Sequence, residues 1–146
     1  SRFTEVKNME YVGFDRDTYK SFKNIKDSRR LHMLNLIKLK EKAIYPDGFI
    51  TTGSEAYMRY GEESEPVFKR LGGSIVWRGD MLIGLIGPAD EKWDICFIAE
   101  YPTVESFVLM QRDKTYQKAV LHRQIAVKTS RLIRMAPKKT GENFAL

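Results

Sequence analysis

Four stretches of the chain have the composition and spacing of apolar residues that are typical of β-strands. Residues 31–40 contain neither Gly nor Pro and place apolar side chains on both faces, so we predict a strand there. Residues 92–101 and about 126–135 predict two further strands. The stretch 74–87 is strand-like but is interrupted at Arg78–Gly79–Asp80, which indicates a bulge or bend rather than a full hairpin.

Helical spacing of apolar residues appears before the first strand and again after the third. Asp15 is a suitable N-cap for a short first helix, and Phe14 and Tyr19 flank it as a hydrophobic staple. Thr103 is the corresponding cap after the third strand, and Asp113 is a second cap in the same region. The chain is therefore expected to begin with a helix and to carry a helical segment before its last strand.

The longest helix is predicted between Thr52 and the glycine pair Gly72–Gly73. Thr52, with Glu55 three residues later, has the spacing of a capping box. The glycines favour the end of a helix because glycine readily adopts a positive φ. Pro66 lies inside this segment and is expected to bend the helix or split it. The preceding sequence Tyr45–Pro46–Asp47–Gly48 is a strong turn signal.

The predicted order is a helix followed by β-α-β-β-α-β. This order predicts an α+β, ferredoxin-like fold with a four-stranded antiparallel sheet, both main helices on one face and an extra N-terminal helix. The opposite face would leave one set of apolar strand residues in water, either Met33, Ile37, Ile95 and Phe97 or the residues that alternate with them. A second copy of the chain is the simplest cover, so we predict a homodimer.

The length of 146 residues suits a single domain. We predict an N-terminal helical extension over residues 1–30, a ferredoxin-like core over 31–137 and a basic tail over 138–146. The chain contains no internal repeat or low-complexity segment.

The net charge of +6 raises the question of nucleic-acid binding. Basic residues crowd the first third of the chain, but acidic residues such as Asp27 and Glu41 interrupt them. No helix-turn-helix, zinc-finger or RNA-recognition pattern is present. We therefore predict a solvated basic face and no nucleic-acid partner.

Three observations predict a cytoplasmic protein with no membrane partner. No stretch approaches the roughly 20 apolar residues that a membrane helix requires. Residues 1–10 lack the charged and then apolar pattern of a signal peptide. The single cysteine, Cys96, cannot pair within its own chain, which fits a reducing compartment.

Five segments together carry a resemblance to a known family. They are Glu100–Phe107 (EYPTVESF), Asp113–Tyr116 (DKTY), His122–Arg123, Leu31–Leu36 (LHMLNL) and Gly73–Trp77 (GSIVW). With them, the chain resembles the domain-of-unknown-function 1330 family over about residues 31–137. The resemblance implies a homodimeric α/β barrel and names no activity.

The wider superfamily implied by this resemblance includes haem-degrading monooxygenases. These use an Asn on the first strand, a Trp after the third strand and a His on the second helix. Asn35 matches the first position, but Tyr101 stands where the Trp is expected and His122 lies too late on its helix. We therefore expect no haem turnover.

Asn35 is an isolated amide among the apolar residues of the first predicted strand. A buried amide needs hydrogen-bond partners, because an unsatisfied one costs about 1–3 kcal/mol. Two interpretations remain open: an internal hydrogen bond to a neighbour such as a tyrosine, or a ligand contact in a cavity on the uncovered sheet face.

Four further residues are candidates for the same ligand site. Trp77 and Arg78 are adjacent, and an indole beside a guanidinium could hold a flat, anionic molecule. Tyr101 shares a strand face with the odd-numbered apolar residues, and Arg131 adds positive charge. We predict that they surround one cavity with Asn35, while core or interface packing of the aromatic residues is the competing interpretation.

His122 is the candidate for acid–base catalysis, since the unperturbed pKa of histidine lies near neutrality. A polar contact at the end of a helix is its alternative role. Zinc-site spacing, a Gly-x-Ser-x-Gly motif, a Walker loop and a dinucleotide fingerprint are all missing, so we predict neither a metal nor a cofactor.

The sequence thus favours a homodimer that binds or processes a small molecule. A cofactor-free enzyme acting on a small anionic or aromatic compound is the sharper form of this prediction. The alternative is a structural or interaction dimer without catalytic activity.

Overall fold

The computed structural model describes residues 10–145. A short helix comes first, and the remaining elements form the predicted β-α-β-β-α-β order with one small addition. In chain order the elements are α1 (Arg16–Lys23), β1 (Leu31–Leu39), β2 (Lys42–Ile44), β3 (Ile50–Thr52), α2 (Gly53–Arg70), β4 (Ser74–Gly79), β5 (Ile95–Tyr101), α3 (Val104–Arg112), α4 (Lys114–Ala126) and β6 (Val127–Met135). The parts of the predicted extension and tail at residues 1–9 and 146 lie outside the described residues.

Four strands form one open antiparallel sheet in the order β4-β5-β1-β6. The two central strands are the first and third of these four strands in chain order, which is the arrangement of a ferredoxin-like fold. The predicted α+β class and ferredoxin-like topology are confirmed. A second, two-stranded sheet pairs β2 with β3. The sequence predicts only a turn in this region.

The register of the sheet assigns each side chain to a face, because directly opposed residues in an antiparallel pair lie on the same side. Leu31, Met33, Asn35 and Ile37 of β1 are opposed by Tyr101, Ala99, Phe97 and Ile95 of β5. Leu31, Met33, Ala99 and Tyr101 are buried against residues of α2, α3 and α4, among them Val67, Phe107 and Tyr116. The odd-numbered side chains of β1 and β5 therefore face the helices.

The other face of the sheet carries the residues that alternate with this set. Leu34 and Leu36 of β1, Ile98 of β5 and Ile133 of β6 lie on it. Ile133 is 43% exposed, and Trp77, opposite Ile98, is 49% exposed. The helical residues that pack with the sheet within residues 10–145 belong to the core of the other face, so this apolar face has no helix over it. The sequence left open which set of strand residues is uncovered. The uncovered residues are those that alternate with Met33, Ile37, Ile95 and Phe97.

The predicted helix caps are confirmed. Asp15 accepts a hydrogen bond from the Thr18 backbone N–H at 2.9 Å, and the rings of Phe14 and Tyr19 stack with centroids 5.0 Å apart. The other caps are Thr52, Thr103 and Asp113. At the end of α2, Gly72 has a φ of +85°, the conformation that makes glycine favourable there.

The expected split of α2, one of the two outcomes predicted for Pro66, and the expected extent of the next strand were wrong. Pro66 does not split α2, which runs as one helix from Gly53 to Arg70. Burial of Val67 and Ser64 on either side of Pro66 holds this part of the helix against the rest of the protein. The strand predicted over 74–87 ends at Gly79, and its bulge lies earlier, between Ile75 and Trp77. Residues 80–94 form no strand.

No helix among residues 10–145 combines the length and the apolar character needed to cross a membrane.

Candidate functional site

A cleft of about 460 Å³ separates the N-terminal segment from the helix-covered face of the sheet. The segment from Tyr11 to Phe22, which includes α1, forms one wall. Met33 of β1, Phe107 of α3 and Leu132 of β6 form an apolar floor. Aromatic contacts fix the wall to the floor: Phe22 meets Phe107 edge-on with ring centroids 5.2 Å apart. The cleft therefore has the size and the apolar lining of a small-molecule site.

Two half-buried arginines add positive charge to this apolar cleft, and the exposed Arg131 borders it. Arg123 projects from α4 and Arg134 from β6, and both side chains are only partly exposed. The register places Arg134 opposite Met33, on the helix-covered face. In residues 10–145 neither guanidinium forms an ion pair. Asp15 is the one acidic residue among the described residues of the lining, and its carboxylate caps α1.

Both guanidiniums hold the N-terminal segment through neutral oxygen atoms. Arg123 donates to the backbone carbonyl of Val12 and to the Ser130 hydroxyl, the latter at 3.2 Å. Arg134 donates to the carbonyls of Phe22 and Asp27, each at 3.3 Å. An arginine side chain has five N–H groups, so three on each remain beyond these bonds. These groups can bind a carboxylate in the two-point geometry that arginine favours.

Ser130 joins the same network from the floor of the cleft. It is buried, and its hydroxyl donates to the Tyr11 carbonyl at 2.8 Å while accepting from Arg123. The Tyr11 backbone N–H in turn donates to the Thr129 hydroxyl at 3.1 Å. The wall of the cleft is thus tied to β6 at defined points on its backbone.

The structure does not bring the five predicted ligand-binding residues together at one cavity. Asn35 lies on the helix-covered face, where it is buried and its amide donates to the Met33 carbonyl at 3.0 Å. It was expected on the uncovered face, and it is not among the residues that line the cleft. The placement was wrong because apolar residues occur on both faces of β1, so alternation alone does not decide which face the helices cover. The internal hydrogen bond is the one observed, and its partner is the backbone rather than a tyrosine.

Tyr101 is also on the helix-covered face. It therefore shares a face with Asn35, as predicted, but this is not the uncovered face on which both were expected. Its ring packs edge-on against Phe68 and Phe107, with centroids 5.4 Å and 5.2 Å away. Burial raises the pKa of its hydroxyl far above the ordinary range. Tyr101 is therefore part of the hydrophobic core.

Trp77, Arg78 and Arg131 are distributed over both faces. The register puts Trp77 opposite Ile98 and Arg78 opposite Phe97, so these neighbours point to opposite sides of the edge strand. Arg131 borders the cleft, and its guanidinium carbon lies 4.8 Å from the Tyr11 ring centre and 5.3 Å from that of Trp93. Of the five predicted ligand residues, Arg131 alone lies at the cleft.

His122 is not among the residues that line the cleft, and it makes two polar contacts. Its Nδ1 lies 2.6 Å from the Tyr45 hydroxyl, and its Nε2 contacts the Glu63 carboxylate. The polar contact that the sequence offered as an alternative is therefore present, and its partners are a tyrosine and a glutamate distant in sequence.

The sequence interpretation missed Arg123, Ser130 and Arg134. A signal for two of them was present, because Ser130, Leu132 and Arg134 alternate along the last strand and so share one face. That face could be recognised as the covered one only after α1 and α4 had been placed against it. Among residues 10–145, no group of three or more His, Cys, Asp or Glu side chains is placed to hold a metal ion.

Comparisons with known proteins agree with the fold. The family model described as a domain of unknown function (DUF1330) matches residues 50–135. Two crystal structures of the protein RPA0582 are similar to this chain. One, described as a protein of unknown function from Rhodopseudomonas palustris, is 49% identical, covers 90% of this chain and 100% of its own, and gives a TM-score of 0.87. The other, of the methylated protein, is 50% identical, covers 91% and 98%, and gives a TM-score of 0.88.

A third structure is more distant. It is described as a dimeric protein of unknown function with a ferredoxin-like fold from Bacteroides fragilis, with 12% identity, coverage of 73% of this chain and 95% of that one, and a TM-score of 0.46. No curated protein matches the chain.

Proposed function

The chain belongs to the DUF1330 family, and we propose that it is a homodimer that binds a small anionic compound with an aromatic or apolar body. The cleft between the N-terminal segment and the sheet is the proposed binding site. The observation that carries this proposal is the pairing of an apolar floor with two arginines that lack ion-pair partners in residues 10–145.

The shape and lining of the cleft favour a flat ligand. Phe14, Tyr19, Phe22 and Phe107 supply aromatic surface, and Arg123 and Arg134 supply the charge. A carboxylate near the guanidiniums would gain charge-assisted hydrogen bonds worth about 1.5–3 kcal/mol. The ring of an aryl carboxylate would take up the apolar part of the cleft, where burial of carbon surface is favourable.

A second copy of the chain is the proposed partner at the uncovered sheet face. Trp77, Ile133 and Met135 on this side are 43–51% exposed. Exposed apolar surface of this extent is typical of an interaction site. The alternative is a structural dimer that binds no ligand. It has the same interface, but no small molecule binds in the cleft.

Calorimetric titration with benzoate and with its neutral analogue benzamide tests the ligand proposal. We expect benzoate to bind the full chain and benzamide to bind at least about 10-fold more weakly, because it lacks the charge that the guanidiniums recognise. Arg123→Gln and Arg134→Gln each should weaken benzoate about 10-fold or more while keeping a donor for the carbonyls of the segment.

The matched control is Arg16→Gln, which removes an exposed charge from α1 without touching the lining of the cleft. It should leave benzoate affinity within about twofold. Equal affinities for benzoate and benzamide, or equal losses in all three variants, would show that the guanidiniums do not select the ligand.

A further inference from the structure

Three polar side chains from the β2–β3 turn, α2 and α4 form a continuous chain of contacts. Tyr45 follows β2 in the β2–β3 turn, His122 lies on α4 and Glu63 on α2. The Tyr45 hydroxyl is 2.6 Å from His122 Nδ1, and His122 Nε2 contacts a carboxylate oxygen of Glu63. The His122 and Glu63 side chains are 20% and 50% exposed, so the group is open to solvent on one side.

The protons of this group can be assigned from the hydrogen-bonding capacity of each atom. A carboxylate only accepts, so the hydrogen in the contact with Glu63 belongs to His122 Nε2. In a neutral imidazole the other nitrogen then carries a lone pair, and it accepts the proton of the Tyr45 hydroxyl. The arrangement is carboxylate, imidazole, hydroxyl, in the order found where a histidine withdraws a proton from a nucleophile.

We propose that Tyr45, His122 and Glu63 form a proton relay that makes the Tyr45 oxygen a nucleophile towards small, activated acyl esters. Tyr45 and His122 are its catalytic residues. Glu63 is a positioning residue, since it acts by fixing the ring and tautomer of His122. This site is separate from the cleft and does not depend on ligand binding there.

The surroundings of Tyr45 suit an ester with an aromatic leaving group. Phe49 packs beside Tyr45 with ring centroids 5.8 Å apart and is 46% exposed, which leaves a face for a second ring. The guanidinium of Arg59 lies 5.1 Å from the Phe49 ring centre and 5.9 Å from that of Tyr45. Arg59 also pairs with Glu55 at 3.2 Å, and its remaining N–H groups can favour the oxyanion that forms when an ester carbonyl is attacked.

The reaction balances without a further reagent. The Tyr45 oxygen bonds to the carbonyl carbon as its proton passes to His122 Nδ1. The bond from that carbon to the phenolic oxygen then breaks, and the phenol leaves with the proton held by His122. Water attacks the acyl-tyrosine, His122 accepts a proton from this water, and the proton returns to Tyr45 as the acid is released. Overall, ester and water give an acid and a phenol.

The direct experiment treats the full chain with 4-nitrophenyl acetate, follows release of 4-nitrophenol, and maps acetyl groups by peptide mass spectrometry after rapid acid quench. We expect acetylation at Tyr45 with kinetics that match the release of 4-nitrophenol. Tyr45→Phe should abolish this acetylation, and His122→Ala should slow it about 100-fold, with added free imidazole restoring much of the rate.

Glu63→Gln tests the positioning role. It should lower the acetylation rate at saturating ester about 10-fold while the ester concentration for half-maximal rate stays unchanged, which a merely structural contact would not produce. Tyr57→Phe is the matched control, because Tyr57 packs in the same cluster but takes no part in the relay. It should react at the native rate. Thermal unfolding of every variant shows which of them remain folded.

The mapping on the native chain decides the proposal even where a variant fails to fold. Acetyl groups confined to lysines, Cys96 or the N-terminus would overturn it. A Tyr45→Phe variant that releases 4-nitrophenol at the native rate would overturn it equally.

Discussion

Gly53, the first residue of α2, occupies a position where any side chain would collide with the backbone of Lys40, the residue that follows β1. A Cβ at Gly53 would lie 2.0 Å from the Lys40 carbonyl oxygen and 2.9 Å from the Lys40 nitrogen. The Gly53 N–H donates to that same carbonyl at 3.1 Å, so the two backbones are held in contact. Backbone atoms cannot turn away as a flexible side chain can, and the helix start would have to move.

Gly53→Ala should therefore destabilise the protein by more than about 2 kcal/mol, as expected for overpacking that shifts the backbone. Gly61→Ala in the same helix is the matched control, because a Cβ there meets no atom within 4 Å and the position is exposed. It should stabilise by about 0.5–1 kcal/mol through the helix preference of alanine. Urea unfolding of both variants measures this, and similar free energies for the two would contradict the close approach at Gly53.

Asn35 illustrates what a single residue's type does and does not reveal. A lone amide in an apolar strand correctly indicated a polar atom with a specific partner. The partner is the carbonyl two residues earlier in the same strand, a local contact that requires no ligand. Only the packing of helices over the odd-numbered face distinguishes this from a ligand contact.

At the scale of elements, the sequence determined the helix starts and the strand order closely. The caps Asp15, Thr52, Thr103 and Asp113 carry local chemistry that acts over three or four residues, so they could be identified without tertiary information. The cleft could not be identified from the sequence, because it forms where α1 meets β6. Tyr11 and Ser130, which are hydrogen-bonded there, are 119 residues apart. The relay likewise joins Tyr45 to His122 across 77 residues.

A layer of tyrosines joins α2 to α4, with Tyr116 buried and Tyr57 and Tyr60 half-buried. The hydroxyls of Tyr60 and Tyr116 are 2.8 Å apart, and the Tyr57 and Tyr60 rings pack with centroids 5.3 Å apart. Burial raises the pKa of Tyr57 from 10.0 to about 12 and raises those of Tyr60 and Tyr116 as well. The positive charge of Arg123 opposes the shift at Tyr57 but does not offset it.

The raised pKa values predict a loss of stability in alkali. Above pH 10 the unfolded chain releases these protons while the folded chain still holds them, so the unfolded state is favoured as the pH rises. The contribution is fully present below pH 10 and is lost as the pH approaches the folded pKa of about 12 at Tyr57. Urea unfolding at increasing pH should therefore show a steady fall above pH 10, and Tyr57→Phe should reduce its slope.

Absorbance of tyrosinate gives an independent check of this layer. A fraction of the tyrosines should titrate only as the protein unfolds. If all of them titrated near pH 10 in the folded protein, the tyrosine layer would be contradicted.

At the scale of the whole molecule, exposed apolar residues lie on the uncovered sheet face and also in the loop of residues 80–94, which carries some of the most exposed of them. Leu82, Ile83, Leu85 and Ile86 in this loop are 93%, 79%, 89% and 96% exposed. The loop connects β4 to β5, and Trp77 on the uncovered face lies just before it. We expect the loop and the sheet face to form one interface between two copies of the chain.

Replacing Leu85 and Ile86 together by Glu should convert the dimer to a monomer, because two charges would have to be buried in an apolar contact. Phe144→Glu is the control, since Phe144 is fully exposed and lies in the tail rather than in the loop. This variant should remain dimeric. Dimerisation unaffected by the double replacement would remove the loop from the interface.

Native mass spectrometry of the freshly purified full chain, with and without benzoate, tests the proposed small-molecule-binding homodimer most directly, since one spectrum reports subunit number and bound ligand. The expected spectrum shows a species at twice the chain mass of 17.0 kDa, with benzoate retained by the native protein and lost from Arg134→Gln. A species at the single chain mass at micromolar concentration, or a dimer that retains no more benzoate than benzamide, would contradict the account.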